Sequence, residues 1–336
     1  MSMDLSTTYL GIELPHPFVA GASPLSDTLD GARALADAGI AMIVLRSLFE
    51  EQLDQEALAH HDATLAHTES HGEARSYLPE PAEFVFGPDE YLGHLAAVRQ
   101  AVSVPVVASL NGHTQGGWTG FARRIADAGA DALELNLFDV VTDPHRSSAD
   151  IEHELVEITA SVCSAIRVPV AVKLSPFYTS LPHLANRLRV AGARGFVLFN
   201  RYFEPDIETD LLEVHTQLQL STPRELQLRL RWLAILSGTV GGDFVVTGGV
   251  HDVEDAVKAI MCGAHTVQIV ATLLRHGLGR IEELRQGLAD WLREHDYASL
   301  RQMRGSMDSS RAPDPRAYER ANYLRALQTH RGFGDA

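Results

Sequence analysis

Lys173 lies in the run VAVKLSP, where apolar neighbours on both sides make an unpaired ammonium expensive to bury. It needs either an anionic partner or a chemical use for its amine. Two chemistries fit: an amine that forms an imine with a carbonyl, as in aldolases, or a fixed cation facing the negative charge that develops on a reduced flavin ring. Three amides, Asn111, Asn136 and Asn200, end other apolar runs, and with Lys173 they would build a pocket of hydrogen-bond donors and acceptors around one cation. In VTGGV, Gly248 and Gly249 allow close approach to the backbone. In IVATLL, Ala271 and Thr272 open a helix, and such backbone N–H groups hold phosphates.

These residues can converge only if the chain brings their segments to one place. Eight short apolar runs recur: FVAGAS (18–23), MIVLRS (42–47), PVVASLNG (105–112), ALELNLF (132–138), PVAVKLS (169–175), GFVLFNR (195–201), DFVVTGGV (243–250) and TVQIVAT (266–272). Amphipathic stretches such as WTGFARRIADAGA and VEDAVKAIMCGA separate them, several ending in a helix-capping Gly. VPVVASLNG with VPVAVKLSP, and IADAGADALELN with LRVAGARGFVLFN, read as an internal repeat. The pattern predicts a (β/α)8 TIM barrel, an α/β fold whose reacting groups sit at the C-terminal ends of the strands. The doubly wound sheet is the alternative, but its GxGxxG fingerprint is missing after the first strand, where the chain reads AGASPLSD. The strand ends then supply Ala20, Gly21, Ala22 and Ser23, Arg46 with Ser47, Asn111, Asn136, Lys173, Asn200, Gly248 with Gly249, and Ala271 with Thr272. The seventh and eighth strands are where such barrels commonly hold a phosphate.

One domain spanning 1–336 is expected, with a loop insertion at 48–89 on the active-site face and a C-terminal tail from about 296 to 336, helical to about 328, that packs back on the barrel. The 28 Lys and Arg against 44 Asp and Glu give a net charge of −16, which repels a phosphate backbone and argues against nucleic-acid binding. Cys163 and Cys262 are the only cysteines, so no disulfide framework, thiolate metal site or iron–sulfur ligand set is expected. The absence of a long apolar window and of a signal-like N-terminus predicts a cytoplasmic protein with no membrane segment. His60, His61, His67 and His71 cluster in the insertion, but the stretch is acidic and lacks a strand-end ligand, so no metal is assigned. Trp232 and Phe177 read as packing residues, and EHDYASLRQMRG as a solvated helix.

With these residues in place, the chain resembles the dihydroorotate dehydrogenase family, FMN enzymes on a (β/α)8 barrel. PHPFVAGASPLSD is similar to that family's first-strand flavin contact, ELN at 134–136 to the start of its ELNxSCPN motif, and VAVKLSP to the strand bearing its flavin lysine. TGGV with GAHTVQIVAT resembles its phosphate cradle. The resemblance implies FMN as cofactor, hydride transfer between a small polar substrate and flavin N5, and CH–CH donors. Lys173 would stabilise charge at N1 and C2=O. It further implies a diffusible acceptor or an electron-acceptor protein as partner, with a homodimer as one arrangement. The substrate half departs from the family. Where the motif continues with a Cys or Ser base and closes on an amide, this chain has Asp139 at the base position and Val141 at the amide. Arg46 replaces a second family lysine. Asp139 is therefore the candidate general base, and dihydroorotate itself is not the expected substrate. A lyase using Lys173 as a Schiff base, and a flavin-binding protein without catalysis, are the competing readings.

Overall fold

The computed structural model describes residues 3–49, 87–111, 118–137, 139–201, 204–216 and 219–320. All eight predicted runs are strands of one closed parallel barrel: β3 (Phe18–Ala20), β4 (Ile43–Phe49), β5 (Val106–Asn111), β6 (Ala132–Asn136), β7 (Val170–Leu174), β8 (Gly195–Leu198), β11 (Asp243–Thr247) and β12 (Thr266–Ile269), with β12 pairing back to β3. The predicted helices form between them as α1 (Leu29–Asp37), α3 (Trp118–Asp127), α4 (Ser148–Ala165), α5 (Leu181–Val190), α6 (Leu226–Thr239) and α7 (Val253–Met261). Two further helices join them: α2 (Pro88–Ala101), which starts on Gly87 and Pro88 at the end of the expected insertion, and α9 (Arg280–Glu294), which follows the short α8 (Ala271–His276).

Side chains alternate across each strand. One set, including Leu133, Leu135, Val172, Leu174, Phe196, Phe244 and Ile269, packs outward under the helices as the main core. The opposite set fills the barrel. Its lower part is apolar, with Val19, Val44, Val107, Ala132, Ala171, Val197 and Val245. An unanticipated hairpin, β1 (Thr7–Tyr9) with β2 (Ile12–Leu14), closes that end and inserts Tyr9, Leu10 and Leu14 into the same cluster. The small residues of the lower layer leave room for this plug: a Cβ at Gly195 would lie 2.9 Å from Leu10 Cδ2.

A second hairpin, β9 (Pro205–Glu208) with β10 (Glu213–Thr216), follows β8 and exposes Ile207, Leu211, Leu212 and Val214. In the C-terminal segment, Gly305, Met307 and Ser309 N–H groups donate to the carbonyls of Ile260, Met261 and Ala234. Its local structure differs from expectation. EHDYASLRQMRG is the end of α9, a turn, and the single-turn α10 (Leu300–Met303), whose Leu300 and Met303 are buried rather than solvated. PRAY forms only a 3-10 turn, Pro315–Tyr318, and positions 321–336 lie outside the described residues. The same holds for residues 50–86, and with them His60, His61, His67 and His71. Among the described residues no helix is long and apolar enough to cross a membrane, and no cluster of His, Cys, Asp and Glu could hold a metal. Both cysteines are free.

Candidate active site

The alternation that makes the barrel floor apolar makes its upper layer polar. Ser109 and Asn111 on β5, Glu134 and Asn136 on β6, Lys173 on β7 and Gln268 on β12 occupy inward positions. The register sets Ser109 beside Glu134, Asn111 beside Asn136, and Asn136 beside Lys173. Lys173 thereby finds its anion: Nζ donates to Glu134 Oε1 at 3.2 Å, and Gln268 Nε2 donates to Oε2 of the same carboxylate at 2.8 Å. Glu134 is 1% exposed and Lys173 9%. An amine already engaged by a buried carboxylate is less available to attack a carbonyl, so the pairing weighs against the Schiff-base reading. Asn200 Nδ2 donates to Asn136 Oδ1 at 3.0 Å, which links the sixth barrel strand to the fourth. Glu134 and Gln268 were missed as site residues. The signal for Glu134 was available, since a residue two positions before Asn136 on a strand shares its face.

At the first and second strands a bulge in β4, between Val44 and Ser47, re-aims Arg46 and Ser47. Ser47 Oγ meets Ser109 Oγ at 2.7 Å, and Arg46 pairs with Asp27 from the loop after β3. Burial raises the Asp27 carboxyl above its usual range, against the pull of Arg46 and His94. Asp27 is a further site residue that sequence reasoning did not single out. Ser23 is buried beside Ala20 and Gly21, with Ala22 partly so. A Cβ at Gly21 would meet Val270 Cγ2 at 2.9 Å and Gln268 Oε1 at 3.3 Å.

The proposed phosphate cradle has both glycines in the left-handed region, Gly248 at φ +81° and Gly249 at φ +85°. A Cβ on Gly249 would lie 2.6 Å from the backbone N of Leu226 at the start of α6, and its own N–H donates to Ser221 Oγ at 3.2 Å. Ala271 and Thr272 are buried in the first turn of α8, and the Thr272 hydroxyl donates to the His251 carbonyl at 3.3 Å, leaving its backbone as the group available to a ligand. Among buried side-chain atoms without a hydrogen-bond partner are Gln268 Oε1, His251 Nε2 and Arg201 Nε, which belong to or directly follow the strand-end residues. Buried polar atoms of this kind call for a partner. A tight glycine backbone, a buried cation and these unpaired groups fit a polar, phosphate-bearing ring such as FMN.

Asp139 lies elsewhere in the mouth. It is about one-third exposed, 3.6 Å from Arg146, which also pairs with Glu154. It lines a cavity of about 330 Å³ with Val141, Arg146, Ser175, Phe177 and Tyr178, between the loops that follow β6 and β7. Phe177, expected to pack, is 75% exposed at this cavity, because the chain turns outward where Phe177 N–H donates to Ser175 Oγ. Trp232, by contrast, packs on the main core as expected.

A family model described as dihydroorotate dehydrogenase matches residues 85–292, well over half of the chain. The chain belongs to the dihydroorotate dehydrogenase family. Members of this family are FMN flavoproteins. Among its relatives is the dihydroorotate dehydrogenase B (NAD(+)) catalytic subunit of Thermoplasma volcanium, 24% identical over 318 residues, or 90% of this chain and 98% of that one. A putative dihydroorotate dehydrogenase A (fumarate) of Aeropyrum pernix is 27% identical over 219 residues, 63% of this chain and 70% of the relative. The NAD-dependent dihydropyrimidine dehydrogenase subunit PreA of Escherichia coli K12 is 22% identical over 329 residues, 93% and 79% respectively. The relatives' names thus cover two different reactions.

Proposed function

We propose that this chain is an FMN-dependent oxidoreductase acting on the CH–CH bond of a small polar substrate, cyclic or carboxylated, other than dihydroorotate. The observation that carries this reading is the charged Lys173, buried at the barrel mouth beside Asn111, Asn136 and Asn200. FMN, when bound, supplies a two-electron acceptor for a hydride. The backbone of Gly248, Gly249, Ala271 and Thr272 would hold its phosphate. Ala20, Gly21, Ala22, Ser23, Arg46 and Ser47 would line the ring side, and the amides would orient ring and substrate. Lys173 would place its positive charge against the reduced ring.

Asp139 would accept the proton from the substrate carbon. Its carboxylate must leave Arg146 to do so, and substrate entering the neighbouring cavity is the natural displacer. The replacement of the family's Cys or Ser base by Asp139, and of its amide by Val141, supports a substrate other than dihydroorotate. Electrons would then pass to a diffusing acceptor or a partner protein. The test is direct: purified protein should be yellow with a flavin spectrum. Anaerobic addition of cyclic and carboxylated reductants should bleach it with at least one of them. A colourless protein that binds no added FMN would refute the proposal.

A further inference from the structure

The lysine at the mouth does not act alone. This chain contains only two lysines, Lys173 and Lys258, among 28 basic residues. Lys258 is a surface residue paired with Glu254. Lys173 keeps an ammonium in a layer where burial penalises any isolated charge. Its one side-chain hydrogen bond among the described residues goes to Glu134. Glu134 is satisfied at both oxygens, by Lys173 and by Gln268. A carboxylate accepts only, so the Gln268 NH2 must face it, and the amide cannot flip. That leaves Gln268 Oε1 fixed on the opposite side, without a partner, beside Gly21.

Building on the FMN reading above, we infer that Glu134 is the positioning residue of this site: it holds Lys173 aimed, locks the Gln268 carbonyl toward Gly21, and offsets the Lys173 charge so that the pair, not the lysine, sets the reduction potential of bound FMN. The logic is one of net charge. With Glu134 ionised the pair is neutral in the oxidised and the reduced protein alike. With Glu134→Gln, the hydrogen-bonding shape is nearly kept but the offset is gone. The protein then carries one net positive charge next to the cofactor, which favours the reduced form.

The experiment is a set of four proteins, wild type, Glu134→Gln, Lys173→Met and the double variant, each loaded with FMN and titrated against redox dyes at one fixed pH. Glu134→Gln should raise the reduced-to-oxidised ratio at fixed potential about tenfold or more, which is about 30 mV for a two-electron couple. The double variant, which removes both charges, should return toward the wild-type potential, because Glu134 and Lys173 act as a pair. An unchanged or lowered potential in Glu134→Gln overturns the inference, and so does a double variant that keeps the full Glu134→Gln shift.

A second measurement does not need the cofactor. With only two lysines, ε-13C-lysine labelling gives two side-chain signals in the cofactor-free protein. In Glu134→Gln the Lys173 signal should move in chemical shift as its 3.2 Å carboxylate contact is lost, while the Lys258 signal stays put; an unmoved Lys173 signal overturns the inference. Failure of wild type to bind FMN would instead refute the functional reading, and the lysine signals would still decide whether Glu134 governs Lys173.

Discussion

The two adjacent glycines of the cradle make a sharp test, because the structure assigns them different constraints. Both have positive φ, and a left-handed backbone costs an L-residue about 1–2 kcal/mol. At Gly248 the nearest obstacle to a Cβ is Arg229 Nη2 at 3.1 Å, the end of a side chain, so the backbone cost dominates and Gly248→Ala should lose about 1–2 kcal/mol. At Gly249 a Cβ would sit 2.6 Å from Leu226 N and 2.9 Å from its Cα, main-chain atoms that move only if the start of α6 moves. Overpacking of this sort adds about 1–3 kcal/mol, so Gly249→Ala should lose about 2–5 kcal/mol and shift Ser221, whose hydroxyl accepts the Gly249 N–H. A bulkier Val at 249 would therefore compromise folding as well as phosphate binding. Urea midpoints of the cofactor-free proteins and FMN content after gel filtration measure the two effects. Gly248→Ala should keep most of its FMN and Gly249→Ala should lose it. Equal destabilisation at the two positions, or a Gly249→Ala protein with full FMN and wild-type stability, would refute the packing argument and the cradle with it.

Lys173→Met leaves Glu134 buried without its cation and should destabilise the protein by about 3–5 kcal/mol, with Glu134→Gln restoring part of the loss; unfolding midpoints of the single and double variants measure this. In FMN-loaded protein the same Lys173→Met should make reduction harder, read as a lower potential. Asp139→Asn should slow single-turnover flavin reduction by about 100-fold or more with the true substrate while changing binding far less, and dihydroorotate should bleach the flavin slowly or not at all. His265 gives an acid-stability signature. Its Nδ1 accepts the Phe244 N–H at 3.1 Å, so the ring is neutral and its 3.2 Å contact with Asp243 is a hydrogen bond of the Nε2–H rather than an ion pair. Burial, followed by Arg304, pushes its pKa down to about 3 from an ordinary value of 6.5. The unfolded chain then binds the extra proton between those values. Stability is complete above pH 6.5 and falls by about 1.4 kcal/mol per unit as pH drops toward 3, partly offset by Asp243, whose carboxyl burial raises. Urea midpoints from pH 7 to 4 should show a slope that flattens in His265→Asn.

The eight barrel strands were legible because a strand covered on both faces reads as an unbroken β-branched run, and the closing glycines punctuate the helices between them. The two hairpins were not. Their strands have only three or four residues, and the turn at Leu10 and Gly11, with φ of +54° and +80°, lacks the Asn-Gly signal that marks such turns. Within the site, Lys173 announced itself through its cost of burial, and the same argument required an anion without identifying it. Finding Glu134 needed the register between β6 and β7 or the period of two counted back from Asn136. Gln268 could be placed only by barrel closure, since 134 positions separate it from the carboxylate it meets. Phe177 was misjudged because a large aromatic after a strand usually packs, whereas here it follows a turn held by Ser175.

The two halves of the site differ in how firmly they are held, and that difference bears on how the substrate end can change. Ser109, Glu134, Asn136, Lys173 and Gln268 sit on strands whose register fixes them, and each of them is buried. Shifting any one leaves a buried polar partner unsatisfied, at about 1–3 kcal/mol or more for a charge. Asp139 and Phe177 stand on loops. The Asp139 contact with Arg146 is long and about one-third exposed, the kind of pair that contributes about 0–1 kcal/mol. A substrate carboxylate entering the cavity could displace Asp139 from Arg146 with little loss to the fold, and the same entry would bring the acid beside the reacting carbon. Mutations on those loops should therefore alter which reductant bleaches the flavin without altering how tightly FMN is held. Mutations in the strand layer should instead weaken the hold on FMN.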